Sequence, residues 1–348
     1  MSRRAVTLAV ASTLLLALVI VGALLPVPYV ALYPGPTANT LGDNGKGTPL
    51  VQIDGRQTYP ATGHLNFVTV TYRGGPDARI DLFTALRGWL SSDTAIVPEE
   101  TIFPKHETQQ QVDAENTRQM QDSQENAEAA ALHELGIAVP TRVVVNSVQP
   151  NMPATGKLEP NDEITAVNGV KTPNVDQVKA QMGKVGVGGS ANVEVLRGGK
   201  PVTVTLTTAK GQDGKPVIGV VLAEDYKFPF KINISVGDIG GPSAGLMFSL
   251  SIVDKLTPGS LTGGKFIAGT GTITPDGQVG PIGGIQQKMV AARRAGATVF
   301  LTPKDNCAEA MGARPDGLRL VRADTLHGAI QSLDALTSGK GDIPACAK

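Results

Sequence analysis

The sequence predicts an α+β fold, arranged as two folded regions behind one N-terminal transmembrane helix. Three observations carry this. Ala5 to Leu25 runs for 21 residues without a charge. Residues 139–224 are dense in short strand and hairpin signals. The flanking stretches, 26–138 and 225–348, mix strand-like runs with helices of small and apolar residues.

The apolar run is close to the ~20 residues a helix needs to cross a bilayer. Arg3 and Arg4 precede it and no basic cluster follows, so the positive-inside rule leaves residues 1–4 as a cytoplasmic tail and places the body outside. A cleaved signal peptide has a shorter apolar core and an A-x-A-like site. No such site stands between Leu25 and Pro36, and Ser2-Arg3-Arg4 only begins like a twin-arginine signal. The segment reads as a signal-anchor, with residues 5–25 in the membrane.

Composition narrows the rest. The chain has 348 residues, and its 31 Lys+Arg balance 31 Asp+Glu, which argues against a non-specific nucleic-acid binder. Gly (41) and Pro (24) make it turn-rich, but 41% hydrophobic residues argue against bulk disorder. Two cysteines, Cys307 and Cys346, cannot by themselves ligate structural zinc or an iron–sulfur cluster. His64, His106, His133 and His327 show no paired-ligand spacing, so no metal and no cofactor are expected. In an oxidising compartment the two cysteines pair, stapling the C-terminal tail, or remain independent thiols.

Pro- and Gly-rich residues 26–44 read as a juxtamembrane connector. His64 to Thr71 alternates like a strand. Glu107 to Leu135 is polar, then Ala-rich and helix-forming, with Gly136 as its C-cap. In 139–224, Arg142 to Val148 reads as a strand. Asn168-Gly169 and Gly198-Gly199 read as hairpin turns. Asn174 caps a helix whose Val175, Val178 and Met182 share a face. The string Val148-Gln149-Pro150-Asn151-Met152-Pro153-Ala154, then Leu158 to Ile164 and Asn168-Gly169, resembles a bacterial PDZ domain. That resemblance implies capture of a peptide as an added strand, its terminal carboxylate held by backbone N–H groups. Leu135-Gly136-Ile137 is the candidate carboxylate-holding loop. The alternative is a spacer that binds nothing.

Two further segments carry chemistry. Gly240-Gly241-Pro242-Ser243-Ala244-Gly245 follows a strand-like run and precedes an apolar helix, Leu246 to Leu256. Pro242 suits a first helical turn. Ser243 then sits at a helix N-terminus, where free N–H groups and the dipole favour an oxyanion; Gly241, Pro242 and Ala244 are the candidate backbone contributors. A serine there can equally be a simple N-cap. Pro281-Ile282-Gly283-Gly284 opens a helix to about Ala295. At ~100° per residue, Lys288 lies among Gly284, Ile285, Ala291, Ala292 and Ala295, with Gln286, Gln287, Arg293 and Arg294 opposite. Burial on such a face lowers a lysine's pKa and makes its amine a base. The alternative is a stem that snorkels its charge into water.

Pro242-Ser243-Ala244-Gly245, Thr270-Gly271-Thr272-Ile273-Thr274, Pro281 to Gly284 with Lys288, Arg294-Ala295-Gly296-Ala297 and Pro303-Lys304-Asp305-Asn306 stand in that order. Together they resemble the proteolytic domain of Lon-type serine proteases. With the apolar segment and the PDZ-like module, the chain is similar to membrane-anchored, PDZ-containing Lon-like proteases. The resemblance implies Ser243 as nucleophile, Lys288 as general base and Thr270 as the neighbour that positions the lysine. It also implies an ATP-independent endopeptidase acting on peptides or proteins, a homo-oligomer, and a PDZ module (139–224) inserted into one protease domain formed by 26–138 and 225–348. Two positions depart from the pattern: Thr272 and Gly240 stand where the family often has acidic residues.

Other motifs compete with this one. Gly259 to Lys265 fits G-x-x-x-x-G-K, but Phe266 follows where Ser or Thr must reach Mg²⁺, so no nucleotide is expected. Gly241 to Gly245 fits G-x-S-x-G, with Asp305 or Asp316 and His327 downstream for a Ser-His-Asp hydrolase. Gly237 to Gly240, however, separates the strand from the serine. A non-catalytic PDZ adaptor with a vestigial protease fold, and a chain that clips only its own connector, are the remaining alternatives.

Overall fold

The computed structural model describes residues 2–43, 47–105, 107–211 and 213–347. His106, one of the four histidines considered above, lies outside them. In chain order the first elements are α1 (Arg3–Leu24), β1 (Pro26–Val27), β2 (Tyr29–Asn39), β3 (Val51–Asp54), β4 (His64–Arg73), β5 (Ile80–Asp81), α2 (Leu82–Trp89), β6 (Ala95–Pro98), α3 (Glu99–Ile102) and α4 (Gln109–Glu134). Next come β7 (Thr141–Val148), β8 (Glu163–Val167), β9 (Val170–Lys171), α5 (Val175–Val185), β10 (Ser190–Arg197), β11 (Lys200–Thr207), β12 (Ala209–Lys210), β13 (Pro216–Val217) and β14 (Val220–Tyr226). The chain finishes with β15 (Lys231–Ile234), α6 (Gly245–Leu256), β16 (Phe266–Gly269), β17 (Thr272–Ile273), β18 (Val279–Gly280), α7 (Ile285–Ala295), β19 (Val299–Pro303), α8 (Cys307–Gly312), β20 (Arg319–Ala323) and α9 (Leu326–Ser338).

These elements form two compact units, one of residues 1–137 with 230–348 and one of 138–229. The larger is built on a sheet of order β20-β19-β16-β4-β2-β6. β4, β16, β19 and β20 run parallel, while β2 pairs antiparallel with β4 and β6. Neighbouring residues of a strand point to opposite faces. Phe67 of β4 packs edge-on against Phe248 of α6, and Val68 clusters with Ile285 and Met289 of α7. So α6 and α7 cover opposite faces, as a largely parallel sheet requires. α4 packs on α6. Its first turn is fixed by a capping box between Thr108 and Gln111.

Residue 44 lies outside the described residues, and residues 26–43 are not a connector. Most of them form β2, inside the main sheet. Pro36 is tolerated because it falls inside the β2–β4 register shift between Pro34 and Thr37, and Pro34 is the last paired residue before that shift. Cys307 and Cys346 form a disulfide that packs in the core under α7.

The smaller unit is an antiparallel sheet of order β11-β10-β8-β7-β14, with β9 on β8 and α5 packed alongside. Asn174 caps α5 through Gln177 N, and Val178 and Met182 enter its core. β14 pairs with β7 as far as Tyr226↔Thr141, which carries this unit to Pro229 rather than 224.

Candidate active site

Thr270 follows directly on β16, at the carboxyl end of a parallel strand where α/β sheets place their sites. Its Oγ1 donates to the Ser243 carbonyl at 2.9 Å, and Gly271 N donates to the same oxygen at 2.9 Å. The serine turn is further held by Ser123 of α4, whose hydroxyl donates to the Pro242 carbonyl at 2.9 Å. Ser243 lies one residue before Ala244, the N-cap of α6, and its hydroxyl caps nothing. The hydroxyl makes no hydrogen bond among the described residues.

Lys288 reaches the site from α7. Gly284, its N-cap, has φ +68° and leaves no room for a side chain: a Cβ would stand 2.8 Å from Val70. The approach to this glycine is clasped by Asn306, which accepts from Ile282 N and donates to Ile282 O, both at 2.9 Å. Lys288 is 4% exposed. Its Nζ donates to Thr270 Oγ1 at 3.3 Å, and no carboxylate pairs with it among the described residues. Burial alone brings its pKa down from 10.5 to about 7. Snorkelling is therefore not what this lysine does. Ser243, Ala244, Gly283, Gly284 and Lys288 line one cleft of about 1300 Å³.

The chain thus brings together Ser243, Thr270 and Lys288, although Lys288 is bonded to Thr270 and not to the serine hydroxyl. Two expected oxyanion contributors are corrected. Pro242 has no N–H, and the Gly241 amide is already donated to Asn116 O at 2.8 Å. The amides of Ser243 and Ala244 make no hydrogen bond among the described residues. Gln287 is also corrected: it is 2% exposed and not on an outer face, because α7 is covered on both sides of the lysine stripe.

Leu135-Gly136-Ile137 does not hold a carboxylate. All three amides donate to the end of α4, Leu135 N to Ala131 O, Gly136 N to His133 O and Ile137 N to Leu132 O. The segment is a helix C-cap with Gly136 at φ +66°. His327 lies outside the cleft, with its Nδ1 2.7 Å from Glu134 and its Nε2 3.0 Å from Gln331. Asp305 and Asp316 do not line the cleft either. Gly259 to Lys265 leads from α6 into strand β16, the reverse of the strand–loop–helix order that gathers amides around a phosphate.

Sequence reasoning missed the supports. Asn116 and Ser123 lie more than a hundred residues from the serine they brace, and only the fold brings them there. Asn306 had a signal, its place in Pro303-Lys304-Asp305-Asn306, but not a role.

Residues 230–322 match the Lon protease (S16) C-terminal proteolytic domain. The chain carries a Lon-type proteolytic domain. Residues 112–208 match the PDZ domain, so a PDZ domain is present as well. The chain is 31% identical over 161 residues to the Lon protease of Clostridioides difficile, covering 42% of this chain and 19% of that protein. To the Lon protease of Geobacter metallireducens it is 42% identical over 89 residues, 24% of this chain and 11% of that one. The chain therefore spans only about a tenth to a fifth of the length of these relatives. Among solved structures, the PDZ domain of the SdrC-like protein from Listeria innocua is 27% identical, covering 23% of this chain and 92% of that one, with a TM-score of 0.22.

Proposed function

We propose that the Lon-type domain is an ATP-independent serine endopeptidase, held outside the cytoplasmic membrane by α1, in which Lys288 activates Ser243. The observation that carries this reading is the buried, unpaired Lys288 amine with a pKa of about 7, in the same cleft as the serine and one hydroxyl away from its carbonyl.

The neutral amine leaves Thr270 by a rotation of its flexible stem and takes the proton of Ser243 Oγ. The oxygen attacks the peptide carbonyl carbon. The unengaged amides of Ser243 and Ala244, at the positive end of α6, stabilise the oxyanion that forms. Lys288, now an ammonium, protonates the leaving amine. Water then hydrolyses the acyl-enzyme with the same base. Thr270 holds the amine in place between these transfers.

The PDZ unit docks substrate tails. β14 is an outer strand of its sheet among the described residues, and α5 packs beside it, so an extended peptide has an edge to join. The amides of Ile218 and Gly219, just before β14, make no hydrogen bond among the described residues and are the donors placed to receive a terminal carboxylate.

Incubation of membrane and secreted protein fractions with wild-type chain and with Ser243→Ala tests the reading. Fragments from the wild type alone, in equal amounts with and without ATP, are expected. The same fragments from Ser243→Ala would overturn it.

A further inference from the structure

Helix α2 has one side fixed in the fold and one side bare. Ala85 and Gly88 are buried, and a Cβ on Gly88 would stand 2.3 Å from Ile96. At about 100° per residue, Leu82, Phe83, Leu86, Trp89 and Leu90 fall within one arc of about 120°. Phe83, Leu86, Trp89 and Leu90 are 42%, 41%, 53% and 90% exposed. Arg87 borders this arc and Thr84 faces away from it. Large apolar side chains gathered on one exposed face mark an interaction surface.

The position of α2 says what meets that face. Only Leu25 separates α1 from β1, and β1 pairs with β5 in the register Pro26↔Asp81 and Val27↔Ile80. Asp81 is the N-cap of α2, its carboxylate accepting from Thr84 N at 2.9 Å. The Phe83 ring lies against Gly22, at 2.9 Å from where a Cβ would be, and Gly22 is the buried residue of α1. So α2 starts opposite the exit of α1 and packs on its last turn. α1 has 22 residues, about 33 Å of helix against a hydrocarbon thickness of about 30 Å. A bilayer crossed by α1 therefore has its headgroup boundary at the level of α2.

We propose that α2 is a membrane-docking helix that lies in the interface of the bilayer α1 crosses. Phe83, Leu86, Trp89 and Leu90 turn into the acyl boundary, and the Arg87 guanidinium reaches lipid phosphate. Trp89, packed edge-on against Tyr29 at 5.5 Å, takes the place such rings prefer at a membrane surface. Span and interfacial helix together make two attachments, which fix the tilt of the proteolytic domain over the lipid. This rests on the reading of α1 as a retained span.

Trp89 is the chain's one tryptophan, so its fluorescence reports on this helix directly. The full chain is reconstituted in phosphatidylcholine vesicles with and without lipids brominated on the acyl chain. Trp89 is expected to be quenched several-fold more strongly by brominated lipid than by aqueous acrylamide. The double variant Leu86→Glu with Leu90→Glu is expected to reverse that order while remaining vesicle-bound and keeping its circular dichroism. A vesicle-bound wild type whose Trp89 answers to acrylamide and ignores brominated lipid overturns the proposal and leaves the span intact. Protection from both quenchers that tracks protein density would assign the face to a second copy, which also overturns it. A chain that floats free of vesicles removes the span and the proposal with it.

Discussion

Two of the almost completely buried charged side chains, one in each unit, are treated in opposite ways. In the PDZ unit Asp162, 1% exposed, accepts from Arg197 Nε at 2.8 Å, Arg197 Nη2 at 2.7 Å and the Glu159 amide at 2.9 Å. Burial pushes its carboxyl up, but these donors outweigh burial and hold its pKa below the usual value. In the proteolytic domain Lys288, 4% exposed, has one hydroxyl and no counter-charge among the described residues. The buried Asp162 is paired and stays ionised. A buried amine left unpaired gives up its proton near neutral pH, and that is the form a general base needs.

The sharpest way to break this contrast is Lys288→Met. Peptidase turnover should fall on the order of 10³-fold, the scale of a lost acid–base group, while the fold persists. Stability gives an independent reading. The folded pKa of about 7 lies below the unfolded 10.5, so between those values the unfolded chain holds the extra proton and wild-type stability rises with pH. Lys288→Met should be the more stable chain below pH 7, and its advantage should shrink toward pH 10 by at most about 1.4 kcal/mol per unit. Glu128, raised to about 8 by burial and by Glu125, has the opposite slope, but it is common to both chains and cancels in the difference. Parallel denaturation curves at pH 6 and 9 would erase the contrast.

Arg197→Met makes the complementary break. It strands the Asp162 carboxylate, so the melting temperature of the PDZ unit should drop by several degrees, with turnover of a short peptide unchanged. An unaltered melting temperature would mean that the pairing does nothing for the fold. The smallest effect concerns the C-cap of α4. Gly136→Ala strains a φ of +66° with open space around it, so stability should fall by about 1 kcal/mol. Peptide affinity of the PDZ unit, followed by fluorescence polarisation, should not change. A weakened affinity would restore the carboxylate role withdrawn from this segment.

What could be read in advance followed from local rules. Ser243 stood in a motif before an apolar helix, Lys288 on a stripe of small residues, and the hairpins of the PDZ unit at Asn168-Gly169 and Gly198-Gly199. The misreadings came where distant partners decide. A helical wheel turns Gln287 outward because it assumes one wet face, and α7 has almost none at that turn. Residues 26–44 read as a connector because Pro34 and Pro36 discourage a strand, but the shift in register against β4 begins after Pro34 and takes in Pro36. Gly241 looked available to an oxyanion until Asn116, from another helix, took its N–H.

The central claim is that a neutral Lys288 activates Ser243, and the pH dependence of Ser243 acylation by a fluorophosphonate probe tests it most directly. The full chain should label with a rate that rises through a single transition near pH 7, and Lys288→Met should lose that labelling. A rate that survives Lys288→Met and disappears in His327→Ala would contradict the account.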